Sequence, residues 1–198
     1  MNRVLLILAL ASLVVSSVHA QKKSSEPNLV AYADSQVVLR TSMGDIVLDL
    51  YPDVAPKHVL NFTKLANTGF YDSLTFHRVI KEMLLQGGDP KGNGTGKGPN
   101  NVPSEFSSLR HTDGILSMAR SSDPNSASCQ FFICLRSFPP WDGNYSIFGK
   151  VADSASMRVA HTIGEVPTSG KQRPPALSDC PLKPVYIVKA YVRPKPKP

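Results

Sequence analysis

The chain has 198 residues, 41% of them hydrophobic and 19% charged, with a formal net charge of +7. That is the composition of an ordinary soluble protein, long enough for one domain with a sizeable core. Much of the excess charge sits near the C-terminus, at Lys171, Arg173, Lys183, Lys189, Arg193, Lys195 and Lys197. Without interleaved aromatics or a recognisable module it reads as a solvated tail, and no nucleic-acid partner is expected.

The first twenty residues combine Arg3, an apolar run from Val4 to Val15, and a small residue, Ala20, before polar Gln21. This pattern predicts a cleavable secretory signal over 1–20, with an uncleaved anchor as the alternative. No later segment is apolar and long enough to span a bilayer. Residues 21–35 are mostly polar and read as a linker. VVLRTSMGDIVLDLY then alternates apolar and polar residues on both sides of Ser42-Met43-Gly44-Asp45, which predicts a hairpin. Asp53, Val54, Ala55 and Pro56 begin a helix with proline in its first turn. Val59, Phe62, Leu65 and Ala66 share one face before Gly69 stops it.

After the helix come LTFHRVI, MLLQ, GILSMA, QFFICL, YSIFGKV and PVYIVKAYV, all short and separated by Gly, Pro, Asn, Asp and Ser. Many short strands with turn signals predict a mainly β sandwich or barrel. A second helix is predicted over 154–163, with Met157, Ala160 and His161 sharing a face. The tail RPKPKP, 193–198, alternates proline with cations and is expected to be an extended, mobile end outside any ladder.

Several chemistries lack their motifs. GGDPKGNGTGKG resembles a phosphate loop only superficially, because Lys97 is followed by Gly98 and no helix pattern follows. It reads as a loop needing special backbone angles. His58, His77, His111 and His161 show no metal-ligand spacing. His77, next to Arg78 on a strand, points to the opposite face and is expected to be a hydrogen-bonded histidine. No Gly-x-Ser-x-Gly elbow is present. Cys129 and Cys134 lie about 16 Å apart along an extended chain and cannot pair with each other. They read as small buried hydrophobes, with a bridge from either to Cys180 as the alternative.

A different problem is posed by TFHRVIKEMLLQGGDP, 75–90, where an apolar run carries Arg78 and Gln86. Stranding a guanidinium inside a barrel would cost several kcal/mol. Together with GILSMARSSDPNSASCQFFI and WDGNYSIFGKV, this stretch closely resembles the cyclophilins, a family of peptidyl-prolyl cis-trans isomerases. The likeness covers about 36–192, in the family's order. It implies a closed antiparallel eight-stranded barrel capped by two α-helices, with no cofactor and no metal. It also implies that Arg78 is the catalytic residue, lying in an open groove on the outer face with Gln86 beside it. By the same resemblance Phe132, Met83 and Leu84 line a slot for a proline ring. Ala119, Arg120, Gln130 and Gly94 then run along the groove, and Trp141 and Tyr145 complete the substrate-binding set.

The chain departs from the family's pattern in places. Met83-Leu84 stands where many members have Phe-Met, and Arg120 where an asparagine is usual. Pro140 occupies the tryptophan position and Trp141 the adjacent leucine position, unless the loop shifts by one residue. Displacement of that indole leads to an expectation of weak cyclosporin inhibition. The insertion-like SSDPNSAS, 121–128, and Tyr145 follow a bacterial-type pattern. The sequons at Asn61, Asn93 and Asn144 read as chance matches in a bacterial chain, which points to a periplasmic or secreted protein. A eukaryotic secretory location is the alternative. The expectation is a monomeric isomerase acting on proline-containing polypeptides, the rival being a binding or chaperone module that keeps the groove but turns over poorly.

Overall fold

The computed structural model describes residues 32–171 and 178–196; the expected leader, most of the linker and residues 197–198 lie outside them. The first elements are a hairpin of β1 (Ser35–Thr41) and β2 (Gly44–Leu50). Its turn needs a glycine, since Gly44 has φ of 126°. The Thr41 hydroxyl donates to the Gly44 carbonyl at 2.6 Å and accepts the Met43 N–H at 3.0 Å.

Helix α1 (Pro56–Asn67) follows, its proline in the first turn where no N–H is required. Ala55 offers no side-chain cap. The Glu105 carboxylate takes that place, accepting the N–H groups of Lys57 and His58 at 3.0 Å each and bringing negative charge to the positive end of the helix. Phe62 on the buried face lies 5.1–5.3 Å from Phe148, Phe131 and Tyr71, in tilted or edge-on geometry. Full burial of such a side chain stabilises by about 1.5–3 kcal/mol, so one aromatic anchors the helix to the sheet.

The remaining strands are β3 (Leu74–Thr75), β4 (Arg78–Ile80), β5 (Leu84–Gly87), β6 (Ile115–Met118), β7 (Phe131–Cys134), β8 (Ile147–Val151) and β9 (Tyr186–Pro194). The second helix, α2 (Ser154–Gly164), packs against β2, β4 and β5. All nine strands form one antiparallel sheet in the order β3-β9-β1-β2-β8-β6-β7-β5-β4. The ninth strand arises because LTFHRVI divides into two. Its halves lie at opposite ends of the ladder, and the buried pair Phe76-His77 carries the chain between them, joining the curled sheet's two edges covalently.

Three local expectations are corrected. His161 is exposed and contacts the Asp113 carboxylate at 3.1 Å, whereas the buried positions of α2 are Ser156, Ala160, Ile163 and Gly164. Ser156 faces inward because its hydroxyl accepts the Val47 N–H at 2.9 Å. The tail does enter a ladder, since Arg193 pairs with Gln36 and Pro194 with Ser35. A proline is tolerated at a strand's last residue, and the Arg193 guanidinium donates to Gln36 Oε1 at 3.0 and 3.2 Å. His77, finally, has no hydrogen-bond partner on either ring nitrogen among the described residues. Burial lowers its pKa. Cys129 and Cys134 are buried, unbridged thiols.

Candidate active site

The ladder register builds the site. Arg78 on β4 is opposite Gln86 on β5, which is opposite Phe132 on β7, which is opposite Ser117 on β6. Directly opposed residues share a face, so side chains distant in sequence form one row across four strands. Along each strand the neighbours point the other way: Val79, Leu85, Phe131 and Ile133 belong to the main core. Phe132 belongs instead to a separate small cluster with Ile115, Cys134 and Ile147, against which Ala119, Trp141 and Tyr145 pack.

A cavity of about 310 Å³ opens along this row, lined by Arg78, Met83, Leu84, Gln86, Ala119, Arg120, Phe132, Trp141 and Tyr145. Phe132 is fixed from several sides, with Trp141 at 5.1 Å, Tyr145 at 5.6 Å and His111 stacked at 6.0 Å. His111 is itself held by Asp142 at 3.0 Å and Ser117 at 3.1 Å. Burial lowers the His111 pKa despite the Asp142 carboxylate, whose own pKa is lowered chiefly by accepting the His111 backbone N–H. Trp141 thus lines the cavity although its sequence position falls one residue past the family's tryptophan.

The polar side of the row is a directed chain of hydrogen bonds. Arg78 Nη1 donates to Gln86 Oε1 at 3.5 Å, Gln86 Nε2 to Gln130 Oε1 at 3.0 Å, and Gln130 Nε2 to the carbonyls of Gly94 and Gly96 at 3.1 and 2.8 Å. Gly94 and Gln130 therefore lie beside the slot, in an adjoining cavity that shares Gln86, Ala119 and Arg120 with it. The glycine-rich loop has its own anion: buried Asp89 accepts the N–H groups of Lys91 and Asn93 at 2.8 and 3.0 Å, and that of Gly94. Its amides close around this carboxylate, which leaves no phosphate cradle.

The sequence reading missed Asp179. Its carboxylate lies 3.7 Å from Arg78 Nε, and the arginine side chain remains 42% exposed. The Asp179 carbonyl accepts the Val79 N–H and its N–H donates to the Gly170 carbonyl, both at 2.8 Å. The guanidinium therefore sits in an open groove with Gln86 on one nitrogen and a carboxylate on another, so no buried unpaired charge arises.

The family model for cyclophilin type peptidyl-prolyl cis-trans isomerases matches residues 36–192. The chain belongs to the cyclophilin family. Among curated relatives of this cyclophilin, a peptidyl-prolyl cis-trans isomerase-like 1 from Neurospora crassa is 42% identical, covering 80% of this chain and 94% of that protein. The peptidyl-prolyl cis-trans isomerase ppi1 of Schizosaccharomyces pombe is 43% identical over 79% of this chain and 97% of its own length. A crystal structure of a Cryptosporidium parvum cyclophilin in the presence of the dipeptide Ala-Pro matches with a TM-score of 0.72 and 32% identity, covering 80% of this chain and 98% of that one. These relatives are eukaryotic and lend no support to a bacterial-type origin for this cyclophilin.

Proposed function

We propose that the protein is a peptidyl-prolyl cis-trans isomerase, with Arg78 as the residue acting on the twisting amide and Phe132 as the floor of the proline slot. The observation that carries this reading is the single row Arg78–Gln86–Phe132, which sets a held guanidinium beside an apolar cavity. Rotation about an X-Pro bond crosses a barrier of about 18–20 kcal/mol set by amide resonance, and no covalent step is needed. Twisting localises a lone pair on the prolyl nitrogen. A donor fixed in advance binds that pair more strongly in the twisted state than in the planar one, which is the condition for acceleration. Arginine suits the task because its charge is permanent and its donors form a rigid fork. Gln86 orients it, and Phe132, Met83, Leu84, Trp141 and Tyr145 hold the ring while the bond turns. Ala119, Arg120, Gln130 and Gly94 carry the neighbouring peptide.

The substrates are exported polypeptides in this reading, supported by the leading apolar run after Arg3. The segment SSDPNSAS and Tyr145 are what favours a bacterial-type, periplasmic member. Catalysed exchange has particular value there because uncatalysed X-Pro isomerisation takes tens to hundreds of seconds.

The test is the cis-to-trans exchange rate of a short X-Pro peptide with wild type and with Arg78→Ala, both shown to be folded by circular dichroism. The wild type is expected to accelerate exchange, and Arg78→Ala to lose on the order of a hundredfold. A folded wild type that leaves the rate unchanged makes the groove a binding module and removes the enzyme.

A further inference from the structure

Resting on the isomerase reading, we propose that the cavity adjoining the proline slot selects an anionic side chain, a carboxylate or a phosphate, near the proline of the substrate. The cavity holds about 250 Å³, and Lys97 and Arg120 line it together with serines, a threonine and amide groups, but no carboxylate. The cations around the groove are not all compensated alike. Arg78 is paired with Asp179. The nearby carboxylate of Asp89 is occupied by the loop's own N–H groups. Lys97 and Arg120 make no ion pair among the described residues.

Arg120 is also held in place with a donor to spare. Its Nε donates to the Asn144 carbonyl at 2.9 Å and its Nη1 to the carbonyls of Ser121 and Ser122 at 2.8 and 3.4 Å. The guanidinium lies over the Tyr145 ring at 4.8 Å. These partners are neutral, so they orient the charge without cancelling it, and Nη2 has no partner among the described residues. A guanidinium fixed in this way loses little freedom on taking up an anion. Because the two cavities share Gln86, Ala119 and Arg120, and an extended peptide advances about 3.3 Å per residue, the anion belongs within about three residues of the proline. A substrate with Lys there places a third cation beside Lys97 and Arg120, so the cavity discriminates by repulsion as well as by attraction.

The experiment uses peptides with an Ala-Pro core and a single Glu, Gln, Lys or phosphoserine placed in turn at each of the three positions before and after it. At one position kcat/KM is expected to be about three- to tenfold higher for Glu than for Gln, with phosphoserine at least equal to Glu and Lys below Gln. The preference should shrink in high salt. It should also fall in Arg120→Gln and in Lys97→Gln, the second being an exposed side chain with no ion pair among the described residues. Rates that are blind to charge at every position overturn the proposal, as does a preference that survives both substitutions. Should no peptide be isomerised at all, the isomerase reading is what falls. The affinities of the same peptides, followed by fluorescence of Trp141, then decide the anion preference independently: tighter binding of Glu than Gln upholds it and equal binding removes it.

Discussion

Replacing Asp179 by Asn separates the charge that orients Arg78 from the loop that carries it. Asp179 has φ of 58°, a left-handed conformation that Asn tolerates as well as Asp does, so the backbone bonds to Val79 and Gly170 should survive. Two unit charges about 4 Å apart attract by about 1 kcal/mol in water and about 4 kcal/mol at an effective dielectric of 20. With the arginine side chain 42% and the carboxylate 18% exposed, the lower end applies, about 0.5–1 kcal/mol. If that energy holds the guanidinium where the twisted amide needs it, kcat/KM falls about two- to fivefold in Asp179→Asn. The decisive measurement is a double-mutant cycle on peptide exchange with Arg78→Ala, accompanied by urea denaturation of all four proteins. Asp179→Asn should have no further effect once Arg78 is gone. An equal loss in both backgrounds, or none in the wild type, would refute the claim that the carboxylate acts through Arg78.

Acidification should destabilise the fold. Burial lowers the pKa of His58, His77 and His111, outweighing Glu105, Asp89 and Asp142 respectively, so the unfolded chain takes up protons first as pH falls through about 6.5. Each histidine then removes stability at up to about 1.4 kcal/mol per pH unit, and a urea midpoint that stays constant between pH 8 and 5 would contradict the sign. Gly88→Ala should unfold the protein or cost more than about 3 kcal/mol by thermal melting, because φ is 82° and the added carbon would lie 2.4 Å from the Cys129 carbonyl oxygen; a native-like melting temperature would show that β5 can shift. Trp141 is the one tryptophan and packs on Phe132, so its emission should change when a proline peptide fills the slot, and Trp141→Phe should abolish the signal.

Local signals were readable where a local cause existed. Pro56 and Gly69 bound α1, and the Ser42–Asp45 turn marks the first hairpin, because proline and glycine act on their own backbone angles. The stretch that carries Arg78 and Gln86 was legible as a candidate site only through its likeness to a family. Nothing in TFHRVI itself says that the run breaks at Phe76-His77 and sends its halves to opposite edges of the sheet. Partners from distant loops were equally silent: Glu105 capping α1 from 48 residues away, and Asp179 behind Arg78. The α2 face was misread because Ser156 looks polar in sequence, yet its hydroxyl is consumed by the Val47 N–H. Trp141 was ambiguous because a loop can exchange one residue of sequence for a different side-chain direction, and only packing against Phe132 and Phe138 decides it.

The site and the core are two faces of the same strands, and this ties function to register. Phe131 and Ile133 point into the main core while Phe132 between them lines the cavity; Leu85 points in while Gln86 points out. A slip of one residue in β7 would exchange these faces, burying the slot's aromatic and exposing core side chains. The apolar cost of that exchange falls on the core, where Phe131 meets Phe62, Tyr71 and Phe76. The geometry that places a guanidinium, an amide and an aromatic ring in one row is therefore enforced by side chains that never touch a substrate. The polar chain from Arg78 through Gln86 and Gln130 to the Gly94 and Gly96 carbonyls adds direction to that row, since each amide has its donor and acceptor assigned by its neighbours. Catalysis by a fixed donor depends on this prior ordering, because a guanidinium that had to find its place during the twist would pay the cost of orientation at the barrier itself.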